Sequence, residues 1–474
     1  MEAFSNSVFP PWDFFRLRMV SMAGKQRSVS RSLRPVSRDA ANISHGPLPS
    51  LAHGSAHAHN KAHMPPVLIV GAGMAGLACA SALHRAGKPF LLLEAADAVG
   101  GRIRTDLTPD GFRLDRGFQV LLSAYPEVRR QIRLDALRPR AFRSGAVLRL
   151  PDGTQTLLPD PLRNPLALPG ALFSPIGSLA DKLRIAALVL ELLPQSDEAL
   201  LQGPGTSTLK YLRAKGWSQR MIERFFVPFF GGVFLDRSLS ADSRFFRFVF
   251  QQFVCGRALL PSLGMQALPE QLAAGLPKDR IRLNSPVRCV APGGVLLQDG
   301  TTVEGSAVVL AVEGHVLHTL LPETAANVTW QQTTCLYFDA PVSPGKGDGY
   351  LRLNAFPDSV VHNVCFPSDI APEYAPPGRT LVSVSAHGAH GLEPTAFEKR
   401  VRTELEEWFG PAVSEWRPLR TYEIAHALPP FAPPERRPRP AGVWICGDHT
   451  GYPSFNCALA TGRATGEQLA ATLG

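Results

Sequence analysis

Residues 67–83 read VLIVGAGMAGLACASAL and contain three glycines in the spacing G-x-G-x-x-G, at Gly71, Gly73 and Gly76. The apolar run before the glycines predicts a buried strand, and the Ala-rich run after them predicts a helix. In this setting Gly71 permits a tight turn, Gly73 lets the backbone approach a pyrophosphate, and Gly76 lets the helix pack closely on the strand. The stretch therefore predicts a dinucleotide-binding turn.

The start of the helix and the end of the next strand complete this unit. Met74 and Ala75 open the helix, whose free N–H groups and dipole favour a bound pyrophosphate. Glu94 ends the second strand, PFLLLEA (89–95), at a distance from the glycines that suits hydrogen bonds to ribose hydroxyls. A strand, a helix and an acid in this order indicate dinucleotide binding much more specifically than three glycines alone.

The sequence that follows the second strand points to one particular dinucleotide. The run LLLEAADAVGGRIRT (91–105) places Gly100, Gly101 and Arg102 shortly after Glu94. It resembles the second fingerprint of the flavoprotein superfamily of amine oxidases, phytoene desaturases and protoporphyrinogen oxidases. The resemblance implies FAD as cofactor, with Gly101 and Arg102 lining its phosphates; a glycine pair allows close backbone approach and an arginine supplies charge-assisted bonds to phosphate.

Further segments resemble the same superfamily from Phe112 to the end of the chain. They are FRLDRGFQVL (112–121), SLGMQALPEQLA (262–273), NSPVRCV (284–290) and GVWICGDHTGYPSFNCALATGRATGEQLA (442–470). The resemblance implies that Gly117 lies beside the flavin ring and that the backbone of Val287 holds adenine. It also implies that Gly447 and Asp448 face the ribityl–phosphate part, and that the helix from Phe455 aims N–H groups at the flavin N1–C2=O edge.

The order of these segments predicts an α/β fold with two interleaved parts. A Rossmann-like FAD-binding domain would be assembled from discontinuous segments at 64–124, 255–325 and 440–474. An inserted α+β substrate or cap domain would take 125–254 and 326–439. The Pro-rich segment at 428–442 would be a linker or surface loop.

Two departures from the superfamily pattern concern the substrate. Amine-oxidising members usually carry a Lys near flavin N5, and Thr334 stands in the corresponding strand. Their last helix usually carries an aromatic residue against the flavin, and Ser454 takes that place. Both departures disfavour an amine oxidase.

Candidates for acid–base or substrate contacts are few, and the catalytic residues stay unassigned. Arg116 and Gln119 flank Gly117, while His449 follows Asp448 in the closing motif. In flavoenzymes the cofactor carries the redox chemistry, so a missing acid–base pair does not exclude catalysis.

Ten of the 26 phenylalanines fall between Phe225 and Phe253, in FFVPFFGGVF and FFRFVFQQF. Such a segment is typical of a pocket for an isoprenoid or another large apolar molecule. A surface that dips into a membrane is a second interpretation. A packed domain core or a subunit interface is the third, and the sequence leaves all three open.

Composition bears on where the protein is located and on which partners and metal sites it can have. The first 63 residues hold eight Lys or Arg, three acids and ten Ser, a composition typical of an organelle transit peptide, plastid ahead of mitochondrion. Because this leader carries much of the net charge of +9, a pI of 9.4 does not indicate a nucleic-acid partner. The seven cysteines form no C-x-x-C pair, and neither a metal site nor a disulfide framework is expected.

Together these observations predict a plastidial FAD-dependent oxidoreductase acting on a large apolar substrate. Desaturation or isomerisation of a carotenoid-like polyene is the favoured reaction. Oxidation of an amine or of protoporphyrinogen, with the same cofactor, is the first alternative. A non-catalytic lipid- or prenyl-binding factor, as in the similar Rab GDP-dissociation inhibitors, is the second. The electron acceptor and the oligomeric state stay open.

Overall fold

A computed structural model of the chain describes residues 64–322, 329–388, 391–432 and 440–473. The predicted leader at 1–63 lies outside these residues, as does the centre of the Pro-rich segment. Within them, the fold is built on a five-stranded parallel sheet. Its strands, in spatial order, are Ile281–Arg282, Phe90–Leu93, Val67–Val70, Ala307–Leu310 and Val443–Ile445.

This sheet confirms the α/β class and the discontinuous assembly of the Rossmann-like core. Its two central strands, Val67–Val70 and Ala307–Leu310, pair in parallel although more than two hundred residues separate them. The strand Val443–Ile445 adds a third part of the chain at the sheet edge. Fully buried apolar runs of this kind are expected of parallel strands covered on both faces. The domain boundaries themselves stay a prediction.

The glycine-rich helix, Met74–Arg85, packs against the C-terminal helix, Phe455–Thr472. A Cβ on Gly462 would lie 2.0 Å from the carbonyl oxygen of Ala75, and one on Gly466 would lie 2.6 Å from that of Cys79. Glycine therefore lets the two backbones touch. This contact fixes the last segment of the chain against the first dinucleotide-binding turn.

The second layer is a seven-stranded mixed sheet. Its strands, in spatial order, are Arg417–Leu428, Gln331–Ala340, Thr380–His387, Asn363–Cys365, Leu351–Asn354, Gly145–Arg149 and Gln155–Pro159. One face, which includes Leu336 and Val384, packs on the amphipathic helix Pro394–Phe409. Because side chains alternate along a strand, Thr333, Ser385 and His387 lie on the other face, towards the Rossmann-like core.

The helices between residues 160 and 260 cover that second face. The remaining helices are Pro126–Gln131, Leu168–Phe173, Leu179–Leu192, Asp197–Leu201, Thr208–Ala214, Gln219–Met221, Val227–Phe234, Ser243–Cys255, Ala267–Ala274, Gly314–Leu320 and Pro367–Ile370. A π-helical turn at Ile222–Phe226 joins two of them. The short strands are Thr105–Leu107, Arg113–Asp115, Leu121–Leu122, Arg140–Ala141, Ala258–Leu260, Val287–Ala291, Gly294–Leu297 and Thr302–Glu304.

The described part of the chain bears on cysteine pairing, metal binding and membrane-spanning helices. All seven cysteines are free thiols there, and six of them are buried. Among the described residues no group of His, Cys, Asp and Glu has the arrangement of a metal site. None of the helices among these residues has the length and apolar character needed to cross a membrane.

Asp115 joins three segments of the fold at a fully buried position. Its carboxylate accepts hydrogen bonds from the Thr105 hydroxyl at 2.5 Å, the Met265 backbone N–H at 2.9 Å and the Tyr374 hydroxyl at 2.8 Å. The residue therefore fixes the segment that carries Gly117 onto the segment that carries Met265. Burial raises the pKa of Asp115 to about 6, although the three donors oppose the rise.

The raised pKa predicts a pH-dependent stability. The native state holds the proton more tightly than the unfolded chain, so stability is highest below the unfolded pKa and falls as the pH rises towards 6. Because one pKa unit corresponds to about 1.4 kcal/mol, wild type should lose about 2 kcal/mol relative to Asp115→Asn between pH 4.5 and 7. Urea unfolding of both proteins across this range measures the difference. An unchanged difference would show that the carboxylate titrates normally.

Candidate active site

The three glycines of the first motif have separate geometrical roles. Gly71 has a φ of +100°, and a Cβ on it would lie 2.7 Å from the carbonyl oxygen of Ala311. A Cβ on Gly76 would lie 1.9 Å from the carbonyl oxygen of Gly71. A Cβ on Gly73, by contrast, would meet nothing within 4 Å. Two glycines therefore permit the turn itself, while Gly73 leaves open space for a ligand.

The second fingerprint lies directly beside that open space. Gly100 forms a parallel bridge with Gly73, and both Gly100 and Gly101 have positive φ, at +127° and +57°. Gly73, Met74, Ala75 and Gly101 all line one large cavity. Two loops distant in sequence thus meet at the N-terminus of the glycine-rich helix, where an anion is favoured.

Glu94 stands at the carboxyl end of the second strand and lines the same cavity. Its Oε2 accepts a hydrogen bond from the Ala72 backbone N–H at 2.6 Å, and its Oε1 accepts one from Ala96 at 2.9 Å. Val287 lines the cavity at the neighbouring edge. These contacts hold the Glu94 carboxylate in position, as recognition of a ribose requires.

Arg102 connects the second fingerprint to the closing motif. Its Nη2 donates to Oδ1 of the buried Asp448 at 2.6 Å, and its Nη1 donates to the Ala427 carbonyl at 2.9 Å. Glu313 lies 3.6 Å from its Nε. Arg102 and Asp448 both line the cavity, so this ion pair closes one wall of the site. The sequence did not predict the pairing.

Gly117 lies where the two layers meet. Its φ is +93°, and a Cβ on it would lie 2.6 Å from Cδ1 of Ile424 in the second sheet. Gln119 lines the cavity and donates to the Arg102 carbonyl at 2.9 Å. Arg116 also lines the cavity, but its half-exposed guanidinium is paired with Asp106 at 2.9 Å. These positions do not test whether Arg116 or Gln119 contacts a substrate, and both roles stay predictions.

The closing motif places its residues on two sides of the cavity wall. Gly447, with a φ of +145°, and Phe455, the first residue of the C-terminal helix, both line the cavity. Ser454 caps that helix by accepting from the Cys457 N–H at 3.2 Å. His449 is buried at 6% exposure, and the cavity-lining residues of the described chain do not include it. Its candidacy as a substrate contact stays a prediction that this placement does not favour.

The Phe-rich segment is a core and a cavity wall rather than a surface. Of its ten phenylalanines, seven are buried, three are half-buried and none is exposed. The three half-buried rings, Phe225, Phe229 and Phe253, all line the cavity. Because the rings pack on each other and on the cavity, this placement does not favour membrane contact through the Phe-rich segment, which stays a prediction.

The cavity has a volume of ≈ 1600 Å³ and runs from the glycine-rich turn to the Phe-rich helices. A single drug-sized ligand occupies a pocket of roughly 300 to 1,000 Å³, so there is room here for a cofactor and a second molecule. The end near the glycines carries the polar groups described above. The other end is predominantly apolar.

The strand Gln331–Ala340 presents a different residue to the cavity from the one expected. Thr333 lines the cavity, whereas the buried Thr334 points away from it. Beside Thr333 lie His387, Ser385 and Asn363, none of which was singled out from the sequence. Only the two-residue alternation of these strands could have indicated them, and it does not say which face meets the cavity.

The residues present fit FAD. An open backbone approach at Gly73, a helix N-terminus and a positioned carboxylate suit its pyrophosphate and ribose. Gly117, Gly447 and Phe455 line the same cavity, as binding of a flavin ring joined to that pyrophosphate requires. Glu94, Gly101, Arg102 and Val287 would line the nucleotide end.

Comparison with known proteins supports this assignment over most of the chain. The family model for flavin-containing amine oxidoreductases matches residues 74–470. Polyamine oxidase 3 of Oryza sativa subsp. japonica is 41% identical over 70 residues, which is 14% of each chain. A chloroplastic/chromoplastic 15-cis-phytoene desaturase of Arabidopsis thaliana is 25% identical over 278 residues, 54% of this chain and 49% of that protein. The chain thus matches about half or less of these relatives' lengths.

One solved structure illustrates the likeness in fold. It is described as a protoporphyrinogen oxidase from Exiguobacterium sp. 255-15 and is 17% identical, with a TM-score of 0.65. The match covers 86% of this chain and 99% of that one. At this identity the comparison shows the fold alone.

Proposed function

Because the chain belongs to the family of flavin-containing amine oxidoreductases, we propose that this FAD-dependent oxidoreductase acts on a large apolar substrate. Desaturation or isomerisation of a carotenoid-like polyene is the favoured reaction. The observation that carries the proposal is the continuity of the cavity, which joins the FAD motifs to a pocket walled by Phe225, Phe229 and Phe253 without a break.

FAD, when bound, supplies a two-electron acceptor for hydrogens removed from the substrate. The protein's own contribution is to hold both molecules and to exclude water. Gly73 and Glu94 orient the nucleotide end, while Gly117 brings the second sheet close. The Phe-rich walls bury the apolar chain of the substrate, and such burial stabilises binding by about 25 cal/mol for each Å² removed from water.

The charges at the substrate end disfavour an amine. Basic residues line this part of the cavity at Arg143, Lys182 and Arg257. Asp160, an acid that lines this part of the cavity, is paired with Arg163. A protonated amine entering such a site meets charges of its own sign. The alignment lengths agree, since the rice polyamine oxidase matches 70 residues and the Arabidopsis desaturase matches 278.

A tetrapyrrole is the second candidate substrate. Arg143 and Arg257 line the cavity beside its apolar part, and arginines of this kind pair with carboxylates. Protoporphyrinogen carries two propionates on an apolar macrocycle. These two arginines are the observation that favours it, and it is tested together with the polyene below.

An exposed apolar patch is continuous with the lining of the cavity, and we propose that it docks on a membrane surface. The patch lies on and around the helices Leu168–Phe173 and Leu179–Leu192 and consists of Leu166, Leu168, Phe173, Leu179, Leu183 and Leu190. Leu168 and Leu190 also line the cavity, so the patch and the pocket are continuous. Arg184 lies on the helix Leu179–Leu192, and Arg224 donates to the Pro175 carbonyl beside the other patch helix, so both supply positive charge that attracts anionic headgroups.

Phe173 and Leu190 supply the test of this docking surface, because their exposed fractions are 89% and 74%. The double variant Phe173→Asp, Leu190→Asp should bind anionic liposomes at least about tenfold more weakly, since each change removes apolar contact and adds repulsion. Co-sedimentation measures the effect. The matched control is Leu107→Asp, Val342→Asp, at sites that are 65% and 75% exposed outside the patch. Equal weakening by both pairs would argue against a specific surface.

The substrate class can be tested on the purified protein without assuming a reaction. Organic extraction followed by mass spectrometry should recover FAD and an apolar polyene or another isoprenoid. Recovery of a tetrapyrrole instead would favour the second candidate. Recovery of a polyamine would contradict the proposal.

A plastid location is part of the same proposal. The composition of residues 1–63 supports it, as does the chloroplastic description of the Arabidopsis desaturase. Import of a fluorescent fusion into isolated chloroplasts, with mitochondria as the comparison, would test it.

A further inference from the structure

Four polar side chains interrupt the apolar lining of the cavity, and together they form what we call the polar cluster: Thr333, Asn363, Ser385 and His387. They lie on three adjacent strands of the second sheet. Thr333 pairs with His387, and Asn363 pairs with Ser385, across neighbouring strands. Since Ser385 and His387 are two residues apart on one face, the cluster spans about 7 to 8 Å and one ligand group can reach across it.

Two atoms of the polar cluster are buried without a hydrogen-bond partner among the described residues. They are Nε2 of His387 and Oδ1 of Asn363. Asn363 is only 3% exposed, and a buried amide oxygen without a hydrogen-bond partner destabilises the protein unless a ligand satisfies it. Because both residues line the cavity, a ligand group that satisfies these atoms must come from inside it.

The neighbours of His387 determine what its free nitrogen offers. The Thr333 hydroxyl donates to the Ala386 carbonyl at 3.0 Å and lies 3.1 Å from Nδ1 of His387. Since that hydroxyl has one proton, it accepts from Nδ1–H, and Nε2 is left as an acceptor. Burial, together with the charge of Arg237, lowers the pKa of His387 to about 3, so the ring is neutral.

From this geometry we infer that the polar cluster binds a hydroxyl group on an otherwise apolar substrate. The hydroxyl donates to Nε2 of His387, and the Asn363 amide turns its oxygen or its NH₂ group towards the same oxygen. An ammonium group is disfavoured because the Arg237 guanidinium, held by hydrogen bonds to the backbone carbonyls of Ser359 and Asn354, acts electrostatically on His387 and would repel a second cation. This inference rests on the proposed apolar substrate and adds a polar anchor to it.

The position of the polar cluster relative to the flavin motifs defines its role. A Cβ on Gly117 would touch Ile424, and Ile424, Thr333 and His387 follow one another across three strands. Neighbouring strands are about 4.8 Å apart, so Thr333 lies about 5 Å and His387 about 10 Å from Ile424. His387 and Asn363 are therefore positioning residues that set where along the substrate the reaction occurs.

Competition between matched probes tests the inference without turnover. The holoprotein is incubated with mixed micelles containing equal amounts of 1-eicosanol, eicosane and eicosylamine, then re-isolated, and the bound compounds are measured by chromatography. Wild type should take up about 3- to 10-fold more eicosanol than eicosane. His387→Phe and, independently, Asn363→Leu should bring that ratio to about one without reducing eicosane uptake. His84→Phe, on the surface, is the matched control and should keep the wild-type ratio.

Each outcome bears on a separate claim. Equal uptake of alcohol and alkane by wild type, a preference that survives both variants, or a preference for the amine would overturn the hydroxyl site and leave the apolar substrate standing. Uptake of none of the three would overturn the proposed apolar substrate as well. If one variant fails to fold, the other still decides the result.

Discussion

Gly73→Val should yield a folded protein that holds no FAD. The backbone at Gly73 has a φ of −73° and a ψ of −177°, which valine adopts without strain, and a Cβ there meets no atom within 4 Å. The side chain would instead fill the space that the pyrophosphate needs. We expect at least about a 100-fold loss of FAD affinity, or about 3 kcal/mol, with an unchanged melting temperature of the apoprotein.

Two glycines serve as comparisons for this result. Gly170→Val, where a Cβ also meets nothing, should keep both FAD and stability. Gly76→Ala should instead destabilise the fold by about 3 kcal/mol or more, because its Cβ would lie 1.9 Å from the Gly71 carbonyl oxygen. Flavin absorbance measures bound FAD and thermal unfolding measures stability, so the three variants distinguish a glycine that leaves room for the ligand from one that permits close packing. Stoichiometric FAD in Gly73→Val would show that the pyrophosphate lies elsewhere.

Arg102→Ala should be the most destabilising change outside the glycines. It leaves the Asp448 carboxylate, 5% exposed as a side chain, without the guanidinium that lies 2.6 Å away. Removing one partner of a buried ion pair typically costs about 3 to 5 kcal/mol. Because both side chains line the FAD end of the cavity, FAD binding should fall as well.

A half-exposed ion pair provides the control for Arg102. Arg116, paired with Asp106, is 42% exposed, and Arg116→Ala should cost less than about 1 kcal/mol. Adding Asp448→Asn to Arg102→Ala should recover part of the lost stability by removing the uncompensated charge. Chemical denaturation of the apoproteins measures these differences. Equal losses of stability in Arg102→Ala and Arg116→Ala would show that the ion pair of Arg102 with Asp448 stabilises the protein no more than the half-exposed pair does.

Much of the FAD end of the site could be predicted from the sequence, because it depends on local backbone geometry. A turn that needs positive φ favours glycine, so the turns at Gly71 and Gly101 can be recognised from the glycines in the sequence. The acid at Glu94 follows from its place at the end of a strand. The resemblance to known flavoproteins then extended these motifs to Gly117 and to the closing segment, and the family match over residues 74–470 confirms the class.

The substrate end could not be predicted in the same way, because it depends on contacts between distant segments. Arg102 and Asp448 are 346 residues apart, and no local pattern connects them. His387 and Asn363 meet the cavity through strand register, which the sequence does not specify. The phenylalanines are apolar whether they line a core, a pocket or a membrane surface. Only the packing shows that those at 225–253 form the core and the pocket, while five leucines at 166–190 form the exposed patch together with Phe173.

The most direct test of the central claim is turnover with defined substrates. The FAD-loaded protein is incubated in liposomes with a carotenoid polyene that carries a hydroxyl group, with protoporphyrinogen or with spermidine, and the products are separated by chromatography. Our account predicts a change in the number or geometry of the double bonds of the polyene, absent in Gly73→Val, and no oxidation of the amine. Unchanged polyene together with oxidised spermidine would contradict it.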